Sequence, residues 1–151
     1  MGRRYYELTK RPLGVTGEIA EWEAIRLLHL EPVKVRQAGY DAIQRTKSGR
    51  RIRLQIKSRC YDQENRPSQR LPGISLKKKW DSVLLVILNR KLDPVEIWKA
   101  SRPAVEKALK KPGSVSRNKR GALAVSQFQN IGCRVWPSTV SGGRSGLKFL
   151  N

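Results

Sequence analysis

The chain has 151 residues, 38% of them hydrophobic, with 32 Lys or Arg against 12 Asp or Glu and a formal charge of +20. That length suits a single domain, 1–151, with its own core, and one histidine (His29) and two cysteines (Cys60 and Cys133) are too few for a disulfide framework or a structural zinc site. A charge this large points to nucleic acid as the partner, because neutralising phosphates releases counterions.

Residues 1–15 read as a basic N-terminal arm, in which Arg3, Arg4, Lys10 and Arg11 interleave with Tyr5 and Tyr6 in a way that suits a phosphate backbone. The start carries no apolar leader segment, and the longest apolar run, residues 83–88, falls far short of the about 18 residues of a membrane span. The expected setting is therefore reducing, cytoplasmic and nucleoid-associated. Residues 16–30 predict a first helix, with Thr16 as N-cap and Glu18 and Glu21 where the helix dipole favours acids. Ala20, Ala24, Leu27 and Leu28 form its apolar stripe, and Pro32 is its expected stop.

A first strand is expected at 33–37, and a hairpin at 40–45 and 51–59 around the turn Lys47-Ser48-Gly49-Arg50. In its second strand Ile52, Leu54 and Ile56 alternate with Arg51, Arg53, Gln55 and Lys57, so Gln55 and Lys57 project together from the polar face. The hairpin folds Asp41, within Gly39-Tyr40-Asp41-Ala42-Ile43, back beside them. An acid, an amide oxygen and a lysine then share one face, a place to bind a divalent cation and activate water on DNA.

Residues 61–79 predict a long loop, a DNA contact by composition, with Arg66, Gln69, Arg70 and the run Lys77-Lys78-Lys79, and Arg59 at its approach. The apolar run 82–88 predicts a central strand covered on both faces. Asp93-Pro94 marks a turn before a strand at 95–98, and Ser101 is the expected N-cap of a helix ending near Leu109. A basic segment follows with Arg117, Lys119 and Arg120, then a helix at 122–130 closed by Gly132, a last strand at 133–136 and a Ser- and Gly-rich tail at 137–151. From residue 101 onward there are ten Lys or Arg and one acid, Glu106, whereas Glu18, Glu21, Glu23 and Glu31 cluster early. The expected fold is α/β, a central mixed β-sheet flanked by helices.

The order Gly17-Glu18, Gly39-Tyr40-Asp41, Gln55-Ile56-Lys57 resembles the PD-(D/E)xK nuclease superfamily, over residues 16–100. The resemblance implies a restriction-endonuclease-like core and a Mg²⁺ ion, with Mn²⁺ as a substitute. Asp41, the Gln55 amide oxygen and the Ile56 carbonyl would be its ligands. It further implies that Lys57 orients the attacking water or stabilises charge on the phosphate, and that Glu18 holds a metal-linked water or a second ion, with Glu21 in reserve. Gln55 departs from the family pattern, which has Asp or Glu there; a neutral oxygen holds the metal less tightly.

The implied activity is hydrolysis of phosphodiester bonds in double-stranded DNA. The loops and arms beyond the core favour a site-specific enzyme of restriction or intron-homing type. Gln63, Asn65, Arg66, Gln69, Arg70, Asn118, Gln127 and Gln129 would then read bases. A Holliday-junction resolvase or a repair nuclease of the same fold is the alternative, and outside enzymes a basic nucleic-acid-binding protein without catalysis. Cutting both strands implies a homodimer or higher symmetric oligomer.

Overall fold

The computed structural model describes residues 15–33, 39–60, 70–111 and 122–138. In chain order these form helix α1 (Val15–Leu28), strands β1 (Glu31–Pro32), β2 (Ala42–Arg45), β3 (Arg51–Cys60), β4 (Ser82–Leu88) and β5 (Pro94–Ser101), helices α2 (Arg102–Lys110) and α3 (Val125–Ile131), and strand β6 (Cys133–Trp136). The strands make one open six-stranded sheet in the order β1-β2-β3-β4-β5-β6. Pairing is antiparallel except between β3 and β4, which run parallel. The fold is thus α/β, with a mixed sheet flanked by helices.

The apolar run of β4 sets the layers. All seven of its residues are buried. Val83, Leu85 and Ile87 pack with Trp80, with Val105 and Leu109 of α2 and with Phe128 of α3. Leu84, Val86 and Leu88 pack on the other face with Leu54 and Ile56 of β3 and with Ala20 and Ala24 of α1. A strand with apolar side chains on both faces requires cover on both, and the three helices provide it.

The boundaries differ from the sequence expectations where backbone geometry decides. Thr16 lies inside the first turn of α1 rather than capping it, since the helix starts at Val15. The helix stops at Leu28, before Pro32, because His29 takes a left-handed conformation (φ 53°) and the Leu30 N–H bonds back to the Ile25 carbonyl at 3.0 Å. The first strand falls at Glu31–Pro32, pairing Glu31 with Ile43 and Pro32 with Ala42, ahead of the expected 33–37, most of which lies outside the described residues. Ser101 occupies the N-cap of α2 without a side-chain capping bond. The last helix begins at Val125, not residue 122, with the Gln127 Oε1 accepting the Ala124 N–H at 3.0 Å. Gly132 closes that helix because space demands it: a Cβ there would lie 2.6 Å from the Lys99 carbonyl oxygen.

Candidate functional site

The antiparallel ladder between β2 and β3 ends at the pair Ala42↔Leu54. Asp41 stands one step beyond it, and its N–H donates to the Leu54 carbonyl at 2.8 Å. Leu54 and Ile56 direct their peptide groups toward the same edge of β3, because strand geometry repeats every two residues. At Ile56 the β2 backbone has already turned away, and the Asp41 side chain takes its place: Oδ2 accepts the Ile56 N–H at 2.7 Å. The turn that makes this happen is Gly39. Its φ is +123°, and a Cβ there would sit 2.7 Å from the Lys79 nitrogen and 3.0 Å from the Lys78 Cβ.

Gln55 follows on β3, paired with Val83, and Lys57 two residues on is paired with Leu85. Both therefore lie on the face that carries α2 and α3, opposite α1. Gln55 is 6% exposed, and its Oε1 is buried with no hydrogen-bond partner. Burial lowers the Lys57 ammonium below its ordinary pKa; the Asp41 carboxylate pulls it back up, and the nearby Lys78 charge lowers it further. Asp41, Gln55, Ile56 and Lys57 are thus brought together.

The loop that delivers Lys78 is held by Arg102, the first residue of α2. Its guanidinium lies 4.5 Å from the centre of the Trp80 ring. It donates to the carbonyls of Lys78 (2.8 Å), Trp80 (3.0 Å) and Leu76, and to Glu106 Oε1 at 2.9 Å. At the start of β3, Asp81 clamps Arg53 through the backbone N–H (2.8 Å) and the guanidinium (3.0 and 3.1 Å). Those bonds hold the Asp81 carboxyl below its usual pKa. Arg59, on the same face as Lys57, donates its Nε–H to the Arg70 carbonyl, and burial lowers its pKa. Arg102, Asp81 and Trp80 were not singled out from the sequence. The signal they left was Trp80-Asp81 directly before the apolar strand and an arginine directly after β5.

Glu18 lies in the first turn of α1, exposed, on the helix that covers the other face of the sheet. Among the described residues no three His, Cys, Asp or Glu stand together. The oxygen donors gathered at the β2–β3 end are one carboxylate, one amide oxygen and the backbone of Ile56. Hard oxygen donors of this kind fit Mg²⁺ or Mn²⁺ in type, and the orphaned Gln55 Oε1 is an acceptor such an ion would satisfy.

Of the expected DNA contacts, Arg70 and Lys77, Lys78 and Lys79 are exposed, and Arg59 is half-buried. Arg3, Arg4, Lys10, Arg11, Gln63, Asn65, Arg66, Gln69, Arg117, Asn118, Lys119 and Arg120 lie outside the described residues. Gln127 spends its amide oxygen on the start of α3 rather than presenting it outward. Compared with protein-family models and with curated proteins, the chain matches none.

Proposed function

We propose that this chain is a metal-dependent DNA endonuclease with a restriction-endonuclease-like core, in which Asp41, Gln55 and Lys57 form the catalytic motif. The observation that carries the reading is the buried, unpartnered Oε1 of Gln55 on the face of Lys57, next to Asp41. An amide oxygen left unsatisfied in the interior costs about 1–3 kcal/mol, and a cation held there would recover that cost. Asp41 commits Oδ2 to the Ile56 N–H, which orients the carboxylate and leaves Oδ1 for the ion. Gln55 and the Ile56 carbonyl complete the protein ligands. A bound Mg²⁺ would polarise the phosphate and lower the pKa of its water. Lys57 supplies the positive charge that orients that water or stabilises the phosphate as charge builds, and Lys78 lies close enough to act on it electrostatically. The exposed Lys77, Lys78, Lys79 and Arg70 grip the duplex backbone, and a homodimer supplies two sites for two strands.

The preferred substrate is a specific duplex sequence; a four-way junction or damaged duplex is the alternative. One observation favours a second reading, a nucleic-acid-binding protein without catalysis: the motif supplies a single carboxylate, Asp41, because position 55 is Gln. The test is incubation with supercoiled plasmid and with a synthetic four-way junction, in Mg²⁺, Mn²⁺ or EDTA. Metal-dependent cutting is expected, falling by about a hundredfold or more in Asp41→Ala and Lys57→Ala while DNA binding survives. Wild-type cutting in either variant removes the assignment. Tight binding with no cutting and no metal binding supports the second reading.

A further inference from the structure

A cleft of about 610 Å³ opens at the end of the sheet where β3 and β4 begin and β5 finishes. Arg50, Ile52, Ser82, Lys99, Ser101 and Cys133 are among the residues that line it, and Asp41, Gln55 and Lys57 are not. Its charges do not balance. The Lys99 ammonium is half-buried and donates to the Gln44 amide oxygen at 2.8 Å, a neutral partner. Burial lowers the Lys99 pKa, and the Arg50 guanidinium, a like charge, lowers it further. The carboxylate at the cleft, Asp81, is already held by two bonds from the Arg53 guanidinium. Among the described residues no carboxylate forms an ion pair with Lys99 or Arg50. Arg50 is in turn set at the cleft by the hairpin turn, where Thr46 N–H donates to its carbonyl at 2.9 Å and Thr46 Oγ1 accepts its N–H at 3.1 Å.

The half-buried Lys99 ammonium lies beside the Arg50 guanidinium, and the carboxylate that Arg50 reaches, Asp81, already bonds Arg53, so the cleft keeps positive charge that an anion would balance. We infer that this cleft is an anion site, distinct from the Asp41–Lys57 site, that takes a phosphate group between Arg50 and Lys99. Ser101 and Ser82 at its wall add hydroxyls of the kind that bond phosphate oxygens. The volume falls in the range of small-ligand sites. The phosphate can belong to a free nucleotide or to a nucleic-acid strand crossing this end of the sheet.

Cys133 reports on the cleft because its thiol lines it and lies close to Lys99. Cys60 is an internal reference outside it, its thiol donating to the Asn89 carbonyl at 3.1 Å. The experiment alkylates the full chain with a maleimide in EDTA and follows both cysteines by mass spectrometry. The probes are inorganic phosphate, dAMP and a short DNA duplex, against chloride at matched ionic strength. Phosphate-bearing probes are expected to slow Cys133 severalfold and leave Cys60 unchanged. Lys99→Gln and the exposed-turn variant Arg50→Ala should abolish the protection, and Lys57→Ala should keep it. Protection by phosphate and dAMP identifies a free ligand; protection by the duplex alone identifies a nucleic-acid phosphate. Equal alkylation with every probe, or protection that survives both cleft variants, overturns the site. Because no metal or cleavage enters the readout, the result stands apart from the fate of the nuclease reading.

Discussion

Gln55 is the residue on which the proposed chemistry turns. Replacing it with Glu places a second carboxylate beside Asp41 in an interior position. Without metal the new charge is buried next to a like charge, so Gln55→Glu is expected to melt lower than the native chain in EDTA. With an ion bound the same charge becomes a ligand. The variant should then gain more stability from Mg²⁺ than the native chain does, about 2.7 kcal/mol once free Mg²⁺ reaches a hundred times its dissociation constant. Thermal melts in EDTA and across a Mg²⁺ series measure both. A variant with no added response to Mg²⁺ would show that residue 55 does not face an ion. Lys57 yields a second prediction, in pH. Its folded pKa lies below the ordinary 10.5 because of burial. Between the two values the unfolded chain holds more protons than the folded one, so stability rises as pH climbs through the lowered value toward 10.5. Below that window the cost of the buried charge is present in full. Lys57→Met removes it, so the variant should have a higher urea midpoint than the native chain at pH 7 and a smaller gain toward pH 10. Lys99 shifts in the same direction, so part of the alkaline rise remains. Equal pH dependence in both proteins would discount burial as the cause. At this scale the sequence showed that Gln55 and Lys57 share a face, because alternation in a strand is unambiguous, but not that this face is covered by α2 and α3 and buries Gln55. It did not show that Asp41 caps the Ile56 N–H or that Gln55 Oε1 lacks a partner, since both depend on where β2 leaves the sheet.

Elements place those residues, and here a loop matters as much as a strand. The segment carrying Lys77 to Lys79 has no ladder of its own, yet it is fixed from two sides. Gly39 lets the Asp41 turn pack against its backbone, and Arg102 bonds three of its carbonyls. Arg102→Met leaves those carbonyls without their charged donor and should cost about 2–4 kcal/mol. Gly39→Ala meets both a positive φ and a contact of 2.7 Å, and should cost about 2 kcal/mol or more. Urea unfolding measures each loss. Stability within 0.5 kcal/mol of the native chain, roughly the range of a neutral surface change, would mean that the loop is not held in this way. The central strand at Ser82–Leu88 and the last one at Cys133–Trp136 were legible in the sequence to the residue, because a continuous apolar run and a short alternation between turn signals leave little choice. The end of α1 was not. A histidine gives no local sign that it will turn left-handed, and the apolar pattern runs on past it to Leu30. The role of Arg102 was hidden for a related reason: its partners are backbone carbonyls 22–26 residues away, and carbonyls leave no mark in a sequence.

At the scale of the whole molecule, a charge of +20 acts on folding and on DNA binding with opposite salt dependence. Added salt screens the self-repulsion of the compact chain and should raise its melting temperature. The same salt weakens DNA binding, since each neutralised phosphate contributes about −0.9 to the slope of log K against log salt on duplex DNA. Four exposed cations, Arg70, Lys77, Lys78 and Lys79, lie in the described loop near the motif. Contact by those four alone sets the slope at about −3.6, and contacts elsewhere on so basic a chain make it steeper. Replacing Lys77, Lys78 and Lys79 together by Ala should therefore flatten the slope by about 2.7. The loop's anchors are Gly39 and Arg102 rather than these three side chains, so melting temperature should change little. Fluorescence anisotropy with a labelled duplex across a salt series gives the slope for both proteins. An unchanged slope would place the duplex elsewhere on the molecule. A flattened slope with unchanged folding would tie the strongest general force on this protein, its charge, to the loop packed against the Asp41 turn.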